Sequence, residues 1–231
     1  MYAIILAGGF GTRLKRVIDD VPKPMAPVAG KPFLEYIIRG LVKQGIKRII
    51  LSTGYKTGII EEYFKNGKWL GADISYSVEL EPLGTGGAIK KALDAVDEER
   101  VFVMNGDSYF KIDVAAFEKF YLEKKTLAAL ALVQVNDCSR FGTVITSNDS
   151  RIIGYSEKNN AGSGFINAGA YILNRTFADF YDQPKFSIER DVFPKLIDKG
   201  IYGFKCQSFF IDMGIPETYN YLCQKPDLLN L

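Results

Sequence analysis

Apolar positions in the first half of the chain alternate between two rhythms. Tyr2–Leu6 is a short apolar run bounded by glycines, which predicts a buried strand. From Phe33 onward, Leu34, Ile37, Ile38, Leu41 and Val42 share one face of a helix, and Gly45 follows as a stop signal. Arg48–Ser52 reads as the next strand, and Ile59–Lys65 as a helix with Ile59, Ile60, Tyr63 and Phe64 in phase. Asp73–Val78 is again strand-like, a helix runs through Ala88, Ala92, Leu93 and Val96, and Val101–Asn105 is a buried strand ending at Gly106-Asp107. Strands separated by helices predict right-handed βαβ units and a parallel sheet covered on both faces.

The second half changes rhythm. Leu127–Val135, Gly142–Thr146, Arg151–Glu157 and Ile166–Leu173 are strand-like, with helices expected at Arg175–Tyr181, Ile188–Lys199 and Pro216–Gln224. No Ser- or Pro-rich linker, internal repeat or low-complexity stretch separates the halves. The expected fold is α/β, a Rossmann-like three-layer α/β/α arrangement on a mixed, mostly parallel sheet, in one domain over residues 1–231.

Composition narrows the chemistry. Apolar residues make up 47% and charged residues 24% of 231, an ordinary globular mixture. The balance of 29 basic against 27 acidic residues argues against nucleic-acid or membrane-surface partners held by bulk charge. No apolar run is long enough to span a bilayer, and Met1–Leu6 lacks the basic start of a signal peptide. Cys138, Cys206 and Cys223 lack metal or redox spacing and suit a reducing cytoplasm. With no histidine anywhere, Ser-His-Asp and Cys-His catalysis and His-ligated metals are excluded. Carboxylates, Lys, Arg, backbone amides and a hard metal ion remain.

The first strand runs directly into Leu6-Ala7-Gly8-Gly9-Phe10-Gly11-Thr12-Arg13-Leu14. Glycines there let the backbone approach a bulky anion, with amide N–H groups aimed at phosphate oxygens. The spacing is neither a dinucleotide fingerprint, because Leu14 stands where the third glycine belongs, nor a Walker A loop, because Thr12-Arg13 follows Gly11. Downstream, Lys23 stands between Pro22 and Pro24, which predicts a stiff, extended stem.

These two segments together, Leu6–Leu14 and Pro22-Lys23-Pro24-Met25, resemble the N-terminal signature of the sugar-1-phosphate nucleotidyltransferases. That family joins a nucleoside triphosphate to a sugar 1-phosphate and releases pyrophosphate, on the nucleotide-diphospho-sugar transferase fold. The resemblance implies that Leu6, Ala7, Gly8, Gly9, Gly11 and Thr12 wrap the triphosphate, while Arg13 and Lys23 bind pyrophosphate and the α-phosphate. It covers nearly the whole chain, Ala3 to Pro216, with a nucleotide-binding half over about 1–110 and a sugar-binding half over about 111–231.

Glu81-Pro82-Leu83-Gly84-Thr85-Gly86-Gly87 resembles the family's nucleobase loop. Glycines at a helix N-terminus are expected to leave free amides and room for a flat ring beside Gly84, Thr85 and Gly86. An ionised Glu81 only accepts hydrogen bonds, and guanine alone presents two adjacent donors, so GTP is the expected nucleotide. Asp107 ends a buried strand, where open α/β sheets bind ligands. Asp107 and Asp212, in Phe210-Ile211-Asp212-Met213-Gly214, match the family's two Mg²⁺ ligands. Tyr155-Ser156-Glu157-Lys158 and Ile166-Asn167-Ala168-Gly169 resemble its sugar elements, with Glu157 on sugar hydroxyls, Lys158 on the sugar phosphate, and Gly142, Asn167 and Gly169 beside them. The family's usual proline after Glu-Lys is Asn159, and Phe210 and Ile215 replace a frequent Trp and Thr.

Arg13, Lys23 and Asp107 are thus the expected catalytic residues, with Mg²⁺ as cofactor and a homodimer allowed. Within the family the chain looks most like the bacterial D-glycero-α-D-manno-heptose 1-phosphate guanylyltransferases. Mannose-1-phosphate guanylyltransferases and glucose-1-phosphate thymidylyl- or uridylyltransferases are the alternatives. A non-catalytic nucleotide-sugar sensor would not need the full charged set, and a metal-dependent glycosyltransferase would commonly carry an Asp-x-Asp element, which is absent.

Overall fold

Strand β1 (Tyr2–Leu6) is apolar on both faces because it runs through the middle of a sheet, with Ala3, Ile4 and Ile5 wholly buried. The structure, a computed structural model, describes residues 1–9, 11, 14, 18, 20–156 and 162–229. A small ribbon of β2 (Pro27–Val28) and β3 (Lys31–Pro32) leads to helix α1 (Phe33–Lys43). Then come β4 (Arg48–Thr53), α2 (Thr57–Phe64), β5 (Asp73–Val78), α3 (Gly84–Ala92) and β6 (Arg100–Asn105). Both β4 and β6 flank β1 in parallel, and β5 lies parallel outside β4. The chain therefore builds outward on one side of β1 and restarts on the other. That switch opens a crevice at the C-terminal ends of β1 and β6.

The second half continues with β7 (Ser108–Phe110), α4 (Val114–Lys124), β8 (Ala128–Val135), β9 (Thr143–Thr146), β10 (Ile152–Ser156) and β11 (Gly164–Asn174). It ends with α5 (Phe193–Leu196), β12 (Tyr202–Cys206), β13 (Phe210–Asp212) and α6 (Pro216–Gln224). Strand β11 pairs antiparallel with β6 and so joins the halves. Among the described residues the sheet has nine strands, ordered β10-β9-β11-β6-β1-β4-β5, with β8 on β11 and β12 on β8. It is mixed, as expected.

Alternate residues of the strands face opposite layers. Ile5, Leu51, Phe102 and Met104 pack with Leu34, Ile37 and Leu41 of α1 and Phe117 of α4. Ile4, Ile50, Val101 and Val103 pack instead with Ile89 and Ala92 of α3 and with Val192, Phe193 and Leu196. Each face is thus sealed by helices, which explains why the strands read as apolar runs rather than alternating ones.

Some expected elements differ. Arg175–Phe180 is a 3₁₀ helix, and the expected helix Ile188–Lys199 is a π turn over Ile188–Val192 followed by the short α5. Pro194 has no N–H for a carbonyl one turn back, so a continuous α-helix cannot form there. Helix α4 was not anticipated, although Asp113 caps it by accepting from the Ala116 N–H at 2.9 Å and Val114, Phe117 and Tyr121 mark its buried face. No helix among the described residues is long and apolar enough to cross a membrane.

Candidate active site

The loops after β1 and β6 are tied together where the strands end. Gly106 N–H donates to the Leu6 carbonyl at 2.9 Å, and a Cβ on Gly106 would stand 2.8 Å from that oxygen. Only glycine permits this approach, and the next residue is Asp107. Strands β7 and β13 form a separate antiparallel ribbon with Asp212 opposite Ser108, and Met213 N–H donates to the Asp107 carbonyl at 2.9 Å. This ribbon brings together two acids far apart in sequence.

Lys23 reaches both of them. Its Nζ donates to Asp107 Oδ2 at 2.5 Å and lies 3.6 Å from Asp212 Oδ1. The lysine sits on a 3₁₀ turn, Lys23–Met25, rather than the extended stem expected from its prolines. The turn is stiff all the same: Pro22 remains extended, and Met25 N–H bonds the Pro22 carbonyl at 2.7 Å. Gly11, at φ +58°, packs so closely on this lysine that a Cβ there would come within 2.7 Å of Lys23 Cβ. Arg140 adds a second cation, 3.8 Å from Asp212 Oδ2.

Burial pushes the Asp212 carboxyl above its ordinary value, opposed by Lys23, reinforced by the neighbouring Asp107 charge, and opposed again by Arg140. Two carboxylates that share one cation are a suitable donor set for a hard divalent ion. No group of three His, Cys, Asp or Glu suited to a metal occurs among the described residues, so further oxygens would come from phosphate and water.

Lys23, Asp107 and Asp212 form one wall of a cleft of about 540 Å³, which Leu6, Gly8, Gly9 and Gly11 also line. Ala7 is not in the lining; it is buried, and its N–H donates to the Ser52 carbonyl at 2.7 Å. Glu79, Pro82, Gly84 and Thr85 line the cleft from another side. Glu81 is exposed and outside the lining. The acid facing the cleft is Glu79, whose Oε2 accepts from Leu83 N–H at 2.9 Å and whose Oε1 accepts from Ser52 Oγ at 3.3 Å. A Cβ on Gly8 would lie 2.6 Å from that Oε1, so the phosphate-type loop and this acid are in direct contact.

Two of the amides expected to be free in the second loop are committed to packing. Gly86 and Gly87 N–H groups both donate to the Phe186 carbonyl, at 2.9 and 3.3 Å, and so are not free. A Cβ on Gly84 would be 2.5 Å from that carbonyl oxygen, and one on Gly86 2.2 Å from the Phe186 ring. Small residues are needed there because the segment before the π turn docks on them. Gly86 itself does not line the cleft.

Thr12, Arg13, Glu157 and Lys158 lie outside the described residues. Gly142 abuts the strand that leads to the last two, since its Cβ would stand 3.1 Å from the Ser156 carbonyl oxygen. Asn167 and Gly169 are absent from the cleft lining and face each other: Asn167 Oδ1 accepts from Gly169 N–H at 2.9 Å. Gly169, at φ +76°, leaves room for Asn105, which does line the cleft. Glu79, Asn105 and Arg140 were not anticipated. Asn105 could have been, since it ends a buried strand beside Gly106-Asp107.

Residues 2–220 match the nucleotidyl transferase family model. The D-glycero-alpha-D-manno-heptose 1-phosphate guanylyltransferase of Aneurinibacillus thermoaerophilus is 48% identical over 221 residues, covering 95% of each chain. The protein of the same name from Campylobacter jejuni is 48% identical over 222 residues, covering 95% of this chain and 97% of its own. The crystal structure of HddC from Yersinia pseudotuberculosis complexed with GMP-PN superposes with a TM-score of 0.87 at 39% identity, covering 97% of this chain and 98% of that one.

Proposed function

We propose that the cleft of this chain, which belongs to the nucleotidyl transferase family, joins GTP to D-glycero-α-D-manno-heptose 1-phosphate. The products are GDP-heptose and pyrophosphate. The observation that carries this reading is the meeting of Lys23, Asp107 and Asp212 beside the glycine loop in one cleft. The heptose and the guanine are supported by the names of the two relatives at 48% identity.

The sugar phosphate oxygen attacks the α-phosphorus in line, and no covalent enzyme intermediate is needed. Catalysis is then positioning and charge neutralisation. Gly8, Gly9 and Gly11 let the backbone close on the triphosphate. Lys23 stabilises charge at the α-phosphate, Arg13 at the departing pyrophosphate, and Lys158 holds the attacking phosphate while Glu157 accepts from sugar hydroxyls. Asp107 and Asp212 would hold Mg²⁺, which when bound neutralises charge on phosphate oxygens. For the base we favour Glu79 over Glu81, since an acceptor that faces the cleft suits the paired donors of guanine. The strand pairing between β6 and β11 supports one domain over both halves. The need for a triphosphate is consistent with a cytoplasmic enzyme.

Triphosphates crossed with sugar 1-phosphates, scored by pyrophosphate release, test the reading. GTP with the heptose 1-phosphate is expected to give the highest kcat/KM. Free nucleoside diphosphate as the released product, or no release with any pair, would overturn it.

A further inference from the structure

One carboxylate links the two sides of the cleft. Glu189 lies in the π turn Ile188–Val192, an irregularity of the kind that recurs at functional sites. Its Oε2 accepts from Thr85 Oγ1 at 2.5 Å and from Ser187 Oγ at 2.7 Å. Its Oε1 accepts from the Tyr171 hydroxyl at 3.2 Å, which itself accepts from Asn167 Nδ2 at 3.0 Å. Every partner of Glu189 donates, which suits an ionised carboxylate, an acceptor only.

One end of this network lines the cleft, and the other packs against a residue that does. Thr85 lies in the first turn of helix α3 and lines the cleft, yet its hydroxyl is committed elsewhere: it donates to Glu189 and accepts from Ile188 N–H at 3.0 Å. At the other end, Asn167 holds the Gly169 N–H, and Gly169 packs against the cleft-lining Asn105. Between them Tyr171 is buried and rests edge-on against Phe193, with ring centroids 5.0 Å apart. A chain of hydrogen bonds therefore runs from the nucleotide wall to the bulge in β11, through a single acid.

We propose that Glu189 is a positioning residue for the transfer reaction, fixing the nucleotide wall at Thr85 relative to the sugar-side bulge of β11 at Asn167–Gly169. The inference rests on the reading that both substrates meet across this cleft. In-line transfer depends on the approach of the attacking oxygen to phosphorus, so losing the link lowers the rate of the bound complex more than substrate affinity. Losing a carboxylate that merely stabilised the fold would instead lower thermal stability and leave the kinetics of folded enzyme intact.

The test uses Glu189→Gln, which keeps the shape but turns an acceptor into a donor, and Tyr171→Phe, which deletes one hydroxyl from a buried ring. In pyrophosphate-release assays on folded enzyme, Glu189→Gln is expected to lower kcat by ~10–10²-fold, with the KM for each substrate changed by less than ~3-fold. Tyr171→Phe is expected to change kcat in the same direction by a smaller factor, and the double variant to be no worse than Glu189→Gln alone, because both break one network. Should Glu189→Gln fail to fold, Tyr171→Phe decides. Variants that match wild-type kcat, or that show only a lower Tm or a raised KM, would overturn the proposal. A wild-type chain that releases no pyrophosphate would overturn the functional reading instead, so the two failures are distinguishable.

Discussion

The ammonium of Lys23 stands 2.5 Å from Asp107 and 3.6 Å from Asp212, between two carboxylates that would otherwise repel each other. The lysine side chain is only 12% exposed, whereas Asp107 is open enough, at 37%, to take a further ligand. A tethered cation in that position competes with any divalent ion for the same oxygens. Lys23→Met is therefore expected to tighten Mn²⁺ binding to the nucleotide-free protein by several-fold in calorimetry, while lowering turnover by ~10²–10³-fold through loss of a phosphate contact. Unchanged Mn²⁺ affinity would show that the lysine does not guard the acids.

The loop glycines give a second expectation, this one about stability. Alanine at Gly84 would have to hold φ +72° and place its Cβ 2.5 Å from a backbone oxygen, that of Phe186, which cannot swing away. Left-handed strain and overpacking together cost about 2–4 kcal/mol, a Tm drop of roughly 4–16 °C for a chain of this size. Gly58, exposed in α2 with nothing near its Cβ, is the control. Gly58→Ala is expected to be neutral or to stabilise by up to about 1 kcal/mol, because helical glycine carries an entropic cost. Equal Tm values for the two variants would contradict the docking of Phe186 on the loop.

Much of the fold was legible because its signals are local. Tyr2–Leu6 and Asp73–Val78 match the expected strands, and Pro216–Gln224 the expected helix, because apolar period and flanking breakers set those limits. Helix α4 carried a readable cap at Asp113 and was still missed, since charged residues dilute its apolar face. The sequence singled out Lys23, Asp107 and Asp212 by residue type, and the structure gathers the three in one cleft. The site was illegible where a partner from far along the chain decides: nothing near Gly86 announces that Phe186 will take its N–H. The same reason hid Glu189, two of whose hydrogen-bond partners, Thr85 and Tyr171, come from other segments of the chain.

Thiol chemistry offers an inexpensive check on the packing of the second half. Cys138 and Cys206 are buried, and burial pushes the Cys206 thiol up to about 12 and raises that of Cys138 as well. The thiolate is the reactive form, so neither is available near neutral pH. Cys223 on α6 is exposed. Ellman's reagent at pH 8 is expected to titrate one thiol quickly in the native protein and all three cysteines after denaturation. Rapid reaction of two or three in the native state would mean that the packing around β12 or the loop at Cys138 is open.

The choice between Glu79 and Glu81 can be made by exchanging one oxygen for an amide. Glu79 faces the cleft with one carboxylate oxygen on Leu83 N–H, which fixes its plane and leaves lone pairs for a ligand. Guanine presents N1–H and its 2-amino group side by side, and a charged acceptor holds such donors with about 1.5–3 kcal/mol per hydrogen bond. Glu79→Gln puts an NH₂ donor where one acceptor stood, so one of the two guanine donors meets a donor. The expected result is a fall of ~10–10²-fold in kcat/KM for GTP, with dTTP or UTP much less affected, so that the preference for guanine narrows. Glu81→Gln, on an exposed turn outside the cleft, is expected to stay within about 2-fold of wild type for every nucleotide, as surface changes usually do. If Glu81→Gln narrows the preference and Glu79→Gln does not, the nucleobase is read from the opposite end of the Glu79–Glu81 turn, and the loop must rearrange on binding to bring Glu81 inward.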